Sequence, residues 1–245
     1  MKILCVIPAR IGSTRLKRKP LALLAGKPMV QRTYEAALTC PAFAEVIVAT
    51  DNEEIAEVIN ACNGQVMMTD PAIETGSDRA AFVAEHYPHM DVIVNLQGDE
   101  PFVREEMLNA LIAPYLQGET PDMTTLANPL DFDKQYHSSD MVKVIVSQQH
   151  YALYFSRAPI PYQREVINNI PVYHHQGMYA FKRDFLLKFT QLPQTPLELS
   201  EKLEQLRALE HGYKIKVCIS PYKTLEINTE EELAQAQALA QSYWS

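Results

Sequence analysis

The chain has no run of apolar residues approaching the roughly 20 that a membrane-spanning helix needs. Its first residues, Met1 to Pro8, hold one lysine and a short apolar stretch and then meet Arg10, with no small-residue cleavage site. That pattern predicts a first strand rather than a secretion signal, and a cytoplasmic protein that does not engage a membrane. There is no excess of positive charge. Twenty-two Lys and Arg stand against 30 Asp and Glu, a net charge of −8, which argues against non-specific binding of nucleic acid. Cysteine is sparse: Cys5, Cys40, Cys62 and Cys218 form no CxxC pair, so reduced thiols are expected rather than a disulfide framework or a zinc site. GxGxxG, GxxxxGK[ST] and GxSxG are all absent. These absences weigh against a dinucleotide cofactor, a Walker-type phosphate loop and a serine nucleophile.

What is present is ordinary globular composition, 47% apolar and 21% charged over 245 residues, enough for one or two domains with their own core. Apolar runs alternate with helical patterns. Lys2–Pro8, Glu45–Thr50, Gln65–Thr69 and Asp91–Leu96 read as strands. Pro28–Thr39, Asn52–Cys62, Ser77–His86 and Glu105–Tyr115 read as helices. The alternation predicts βαβ units and a mostly parallel sheet, and the Val/Ile runs suit strands buried on both faces. After about residue 120 the rhythm changes. Met123–Ala127, Val142–Val146 and Ala152–Ser156 read as strands with no helix between them, and residues 159–171 carry three prolines and read as an exposed excursion. A helix Leu197–His211 closed by Gly212, a strand Lys214–Ile219 and a helix Thr229–Ser242 follow. The expected organisation is an α/β core, 1–121 with 191–245, interrupted by a β-rich insertion at 122–190.

Four places could carry chemistry. The loop after the first strand places five cations, Arg10, Arg15, Lys17, Arg18 and Lys19, within ten residues, with Gly12, Ser13 and Thr14 among them. In an open α/β sheet ligands bind at the carboxyl ends of strands. Arg forks, a Lys point charge and backbone amides there suit a polyphosphate, although the same charges would serve a solvated basic face. Gln97-Gly98-Asp99-Glu100-Pro101 follows another strand, where Asp99 could hold Mg²⁺ or cap the next helix. Thr75-Gly76-Ser77-Asp78-Arg79 reads first as a helix cap with a surface Arg. In the second half, Arg157 could clamp a carboxylate, and His175 and Glu204 could hydrogen-bond hydroxyls, in company with Ser156, His174, Tyr179, Gln205 and Arg207. Each of these is also an ordinary structural residue, and the adjacent histidines lack zinc-ligand spacing.

Taken together the motifs carry more. PAR-x-x-STRL-x-x-KPL (Pro8–Leu21), ATD (Ala49–Asp51), GSDR (Gly76–Arg79), NLQGDEP (Asn95–Pro101), YALYFSRAPIP (Tyr151–Pro161), H-x-G-x-Y (His175–Tyr179) and LEQLRALEHG (Leu203–Gly212) occur in that order. The series resembles the 3-deoxy-manno-octulosonate cytidylyltransferases, the CMP-Kdo synthetases of lipopolysaccharide assembly, over nearly the whole chain. The resemblance implies a Rossmann-like nucleotidyltransferase core of the nucleotide-diphospho-sugar transferase type, with the β-rich insertion serving a homodimer. It implies CTP and a 3-deoxy-octulosonate as substrates, CMP-sugar and pyrophosphate as products, and Mg²⁺ as cofactor. Carried over by position, Arg10, Ser13, Arg15 and Lys19 hold the triphosphate. Gly76, Asp78, Arg79 and Gln97 lie around the cytidine and the sugar entrance, and Asp99 ligates the metal. Arg157, His175, Tyr179, Glu204 and Gln205 bind the octulosonate. Lys19, Arg10 and Asp99 are the expected catalytic set.

Two departures stand out. The family has Pro-Gly before the first-loop lysine, where this chain has Lys17-Arg18. The family also has a metal-binding Asp where this chain has Asn228, with Glu226 two residues away. Asn228 motivates one rival reading, a weakly active nucleotide-binding paralogue with a regulatory or assembly role. The related CMP-nonulosonate synthetases are the other rival. Their first loop reads Lys-Asn where this chain has Lys19-Pro20.

Overall fold

The computed structural model describes residues 1–12, 16–131, 135–165, 167, 170–225 and 227–244. Two compact units divide the chain, Met1–Asn109 with Thr224–Ser245 and Ala110–Lys223.

The first unit opens with β1 (Ile3–Ala9), buried along its whole length. A 3-10 turn (Lys19–Leu21), a two-residue pair β2 (Leu23–Leu24) and β3 (Lys27–Pro28), and helix α1 (Met29–Ala37) follow. Then come β4 (Phe43–Thr50), α2 (Glu53–Ala61), β5 (Gln65–Met68), α3 (Gly76–His86), β6 (Val92–Asn95) and the start of α4 (Glu105–Leu116), which from Ala110 onward counts to the second unit. The four long strands run parallel in the order β6-β1-β4-β5. β1 sits between two partners, so its Ile, Leu and Val side chains find apolar neighbours on both faces, as the unbroken apolar run required. Pro8 has no N–H to give a ladder, and it falls beyond the last β1–β6 pair, Val6 with Asn95. Asn52 starts α2 by accepting the Ile55 N–H at 3.2 Å, and Thr75 starts α3 by accepting the Asp78 N–H at 3.0 Å. The chain returns to this unit for α8 (Glu230–Tyr243), numbered last in chain order. Ala236 and Ala240, one turn apart, face Leu16, Leu24, Met29, Phe102 and Ile227 in a shared apolar cluster.

The second unit holds β7 (Met123–Pro129), β8 (Lys143–Val146), β9 (Ala152–Ser156) and β10 (Tyr173–Lys182). Helices α5 (Arg183–Phe189), α6 (Pro196–Glu201) and α7 (Gln205–Glu210) and the strand β11 (Ile215–Ile219) complete it. β11 pairs in parallel with β7, and β7 with β10, β10 with β8 and β8 with β9 pair antiparallel. β11 takes β7 as its partner, from Ile215 opposite Met123 to Ile219 opposite Ala127. The expected single helix 197–211 is two helices. Lys202 turns left-handed between them, at φ 55°, and Glu198 and Arg207 pair across the break. Strand β10 escapes the sequence pattern because a register shift between Gln176 and Tyr179 breaks the alternation.

Candidate active site

In the first unit all four long strands point the same way, so the loops that follow β1, β4, β5 and β6 emerge from one edge of the sheet. Glycine lets them come close. A Cβ on Gly98 would lie 3.0 Å from the Pro8 carbonyl oxygen, and one on Gly76 would lie 3.2 Å from both amide atoms of Gln97. The loop after β6 therefore packs against the end of β1, and the start of α3 against Gln97. Gln97 in turn donates to Asn95 Oδ1 at 3.1 Å.

Lys19 is the centre of this edge. Its 3-10 turn brings Nζ onto the Asp99 carboxylate and to 3.0 Å from Asn228 Oδ1. Lys19 and Asp99 are only partly exposed, 15% and 21% for their side chains. Two oxygen donors from distant points of the chain thus converge on one cationic atom. Thr33 Oγ1 donates to the Gly98 carbonyl at 3.1 Å and fixes the backbone just before Asp99. Asn228 is fixed from the other side, since Glu232 Oε2 accepts its backbone N–H at 2.7 Å.

The remaining loop cations are more open. Arg10 is exposed and, among the described residues, donates to the Glu74 carbonyl at 3.2 Å. Arg18 is paired with Glu54, and the pairing raises its already high pKa. Its backbone stands at φ 53°, the left-handed region in which glycine costs nothing. Arg18 thus holds this turn under strain. Ser13, Arg15 and Glu226 lie outside the described residues.

α3 is a poor phosphate seat despite its helix N-terminus. Asp78 already occupies the positive pole, and Thr75 Oγ1 donates to its carboxylate at 2.7 Å. Arg79, read first as a surface residue, is 2% exposed. It binds Asp51 Oδ2 at 2.9 Å, the Ile73 carbonyl at 3.0 Å, and Thr69. It fastens the ends of β4 and β5 together, and it joins the ATD and GSDR motifs in one buried ion pair.

The second unit gathers Arg157, His175, Tyr179, Glu204 and Gln205. His175 is buried and lies between Phe155 and Tyr179, with ring centroids at 4.9 and 5.5 Å. Its Nε2 lies 3.0 Å from Thr125 Oγ1. The Thr125 hydroxyl has one proton, and it faces the carbonyls of Met178 at 2.9 Å and Gln176 at 3.3 Å, which can only accept. The Nε2–H tautomer of His175, with the lone pair on Nδ1, satisfies this arrangement. Burial, with a smaller contribution from His174, pushes the ring down to about 3, so it is neutral at ordinary pH. Burial, Lys223 and Lys143 likewise lower His174 to about 4. Tyr179 donates to Gln205 Oε1 at 3.1 Å, and Gln205 Nε2 is buried without a partner. Glu204 sits 3.8 Å from Arg207, whose main partner is Glu198.

Arg157 is held rather than loose. Its backbone N–H donates to Glu201 Oε2 at 2.9 Å, Nε to the Glu201 carbonyl at 2.8 Å, and Nη1 to the Ser139 carbonyl at 3.1 Å. Lys143, fully buried, donates to the Arg157 carbonyl at 2.5 Å and to that of Ser138 at 2.7 Å. Desolvation lowers the Lys143 pKa, against the pull of Glu201. Thr125, Glu201 and Lys143 are absent from the motif reading. Only Lys143 left a trace there, as a lone cation at the head of the apolar run KVIV.

A metal fits the first unit in a specific sense. Among the described residues no three His, Cys, Asp or Glu side chains converge to make a closed metal site. Asp99 and Asn228 offer one carboxylate and one amide oxygen to a shared point. Mg²⁺ needs no more from a protein when phosphate oxygens and water complete its shell.

A family model described as cytidylyltransferase matches residues 4–215. The 3-deoxy-manno-octulosonate cytidylyltransferase of Acaryochloris marina is 52% identical over 241 residues, 98% of each chain. The protein of that name from Synechococcus elongatus is 46% identical over 240 residues, again 98% of each. Among solved structures, CMP:2-keto-3-deoxy-manno-octonic acid synthetase complexed with CTP superposes with a TM-score of 0.94 at 37% identity, covering 99% of this chain and 100% of that one. A 4-diphosphocytidyl-2C-methyl-D-erythritol synthase from Anaerococcus prevotii, at 18% identity and a TM-score of 0.64, shares the fold. With its mixed α/β fold, its ordered motifs and relatives matched end to end, this chain belongs to the 3-deoxy-manno-octulosonate cytidylyltransferase family of cytidylyltransferases.

Proposed function

We propose that this chain transfers the cytidylyl group of CTP to 3-deoxy-manno-octulosonate or a close analogue, for lipopolysaccharide assembly. The observation that carries this reading is Lys19 Nζ seated on Asp99 and Asn228 at the carboxyl edge of the parallel sheet. A cation already held between two oxygen donors marks a place built for positive charge, and a triphosphate needs such a place. The anomeric hydroxyl of the sugar attacks the α-phosphorus. An O–P bond forms, the bond from the α-phosphorus to the bridging oxygen breaks, pyrophosphate departs, and the hydroxyl proton goes to solvent.

Such transfers depend on position and charge neutralisation more than on covalent help. Lys19 turns from its carboxylate to the triphosphate when nucleotide arrives, and Arg10 and Arg15 add charge along the loop. Asp99 and Asn228 would hold Mg²⁺, which would supply charge neutralisation at the phosphates and a lowered pKa for a bound hydroxyl. Gly76, Asp78 and Gln97 line the cytidine side, with Arg79 acting beneath them as a fastener. Arg157, pinned by Glu201 and Lys143, meets the sugar carboxylate. His175 Nδ1, Tyr179, Glu204 and Gln205 serve the hydroxyls. The protein works in the cytoplasm as a homodimer. No described helix is long and apolar enough to cross a membrane, and the net charge of −8 suits a soluble protein.

Pyrophosphate release from CTP and Mg²⁺ tests the reading, with 3-deoxy-manno-octulosonate, its 8-amino analogue and a sialic acid offered separately. Release with an octulosonate alone is expected. Release with sialic acid alone would move the chain to the nonulosonate synthetases. Silence with all three, beside clear CTP binding, would overturn the enzyme and leave a nucleotide-binding paralogue.

A further inference from the structure

Helix α8 carries Asn228 before one end and the aromatic pair Tyr243–Trp244 at the other. At the first end the helix fixes Asn228 through its own cap. Glu232 Oε2 accepts the N–H groups of Asn228 at 2.7 Å and Thr229 at 2.9 Å, while Thr229 Oγ1 accepts the Glu232 N–H at 3.2 Å. The helix has 14 residues and so spans about 20 Å. At the far end Trp244 stacks on Phe102, with centroids 4.9 Å apart and planes 19° apart. Tyr243 meets both rings edge-on, at 5.3 Å to Phe102 and 5.2 Å to Trp244.

Phe102 stands three residues after Asp99 and is buried. The Arg32 guanidinium lies 4.2 Å from the Trp244 ring centre and is itself tied to the Leu24 and Ala25 carbonyls at 3.0 and 2.7 Å. The next residue of α1, Thr33, holds the Gly98 carbonyl. The stretch containing Asp99 is thus pinned before it by α1 and after it by the end of the chain. The same helix that ends in Trp244 sets Asn228.

We propose that Trp244 and Tyr243 are positioning residues, a clasp that sets Asn228 against Asp99 from the far end of α8. The proposal rests on the reading of Asp99 and Asn228 as the metal-binding pair. Stacked and edge-on rings hold a preferred mutual geometry, unlike a merely greasy contact, and a guanidinium over an indole adds direction. A clasp of that kind transmits position. A purely structural helix end would contribute stability and leave the ligand pair as it is.

The test is Mn²⁺ binding in the presence of CTP, read by electron paramagnetic resonance, with Mn²⁺ standing in for Mg²⁺. Four variants of the full chain accompany the native protein. Trp244→Leu keeps apolar volume and loses the stack, and Trp244→Phe keeps the stack. Ile55→Val removes one buried methylene from α2 and controls for general destabilisation. Asp99→Asn tests the metal reading itself. The clasp predicts Mn²⁺ binding about tenfold weaker in Trp244→Leu, in the range seen when groups supporting metal ligands are removed. It predicts values within about twofold of native for Trp244→Phe and Ile55→Val. Native affinity in Trp244→Leu, with binding lost in Asp99→Asn, overturns the clasp and leaves the metal reading standing. Native affinity in Asp99→Asn overturns both. Should Trp244→Leu not fold, Tyr243→Leu repeats the measurement with the loss of edge contacts only, and native Mn²⁺ affinity there overturns the clasp equally.

Discussion

Apart from Arg79, buried as a fastener in the first unit, and the charged Arg157 in the second, the two units handle their candidate residues in opposite ways. In the first, Arg10, Lys19 and Asp99 stand partly or fully open at a sheet edge, carrying charges that meet substitutes for a ligand: a carbonyl, a carboxylate, an amide oxygen. In the second, His175, Tyr179 and Gln205 are buried and neutral and mostly bind one another and their surroundings. Charge explains the difference. A site for a polyanion cannot bury its cations in advance, because desolvating them costs more than one internal partner returns. A site for hydroxyls can be finished beforehand, since neutral donors and acceptors settle at little cost once paired. The first unit should therefore lose rate when altered, and the second should lose stability.

The sharpest way to break that contrast lies in the second unit. Arg207 and Glu198 are both 6% exposed in their side chains and meet through two hydrogen bonds, at 2.9 and 2.5 Å. Glu198→Gln replaces the nearest carboxylate of a buried guanidinium by a neutral amide and leaves Glu204, 3.8 Å away, as a weaker partner, so the loss should approach, from below, the about 3–5 kcal/mol of a broken buried pair. Urea unfolding should register that loss, and CTP affinity should stay native. A variant as stable as the native protein would show that the pair contributes little.

Next in size is Lys19→Ala. Its expected cost is about 10²–10³-fold in kcat, the scale for losing one donor to developing charge. CTP affinity should change much less if, as proposed, Arg10 and Arg15 share the phosphate charge. Pyrophosphate release and nucleotide binding measured side by side decide it. Lost binding with normal kcat would make Lys19 a ground-state anchor.

Acidity separates the units again. Burial holds His175 down to about 3 and His174 to about 4, against about 6.5 in an unfolded chain. Below 6.5 the unfolded state binds protons that the folded state refuses, so stability is complete above that pH and falls as pH drops toward 3. For His175 the slope is about 1.4 kcal/mol per pH unit. Urea unfolding at pH 7.5 and pH 5 should show the native protein losing more stability than His175→Gln. Equal losses would mean that the ring titrates normally in the folded state.

Much of the first unit was legible in the sequence, and the reasons are local. The apolar run from Lys2 to Pro8 suits a strand buried on both faces, and the Thr75–Arg79 segment announced its helix as a cap. The loop chemistry was legible for the same reason: five cations in an acidic chain stand out. The second unit hid more. YHHQGMYAFK has no clean alternation because its strand carries an irregularity in register, and LELSEKLEQLRALE looks like one helix until Lys202 turns left-handed. Long-range partners left no periodic signal at all. Nothing near Arg79 in sequence foretells Asp51, and nothing near Asn228 foretells Lys19. Those contacts exist only once the loops of a parallel sheet share an edge.

The smallest expected effect concerns Arg18, and it refines what the open edge of the first unit tolerates. Arg18 holds φ 53°, a conformation that strains any side chain with a Cβ and costs glycine nothing. Its ion pair with Glu54 is solvent-exposed and returns little of that strain. Arg18→Gly removes both at once. The backbone gain is offset by glycine's greater freedom in the unfolded chain, so Tm should stay level or rise by a few degrees. The charge leaves a loop that attracts a polyphosphate, so the KM for CTP should rise modestly, and more at low salt than at high salt. Thermal melts and CTP titrations at two ionic strengths read both effects. A fall in Tm would mean that the Glu54 pair outweighs the strain. A KM unchanged at both salts would mean that Arg18 serves only the turn and that nucleotide attraction in this loop belongs to the other cations.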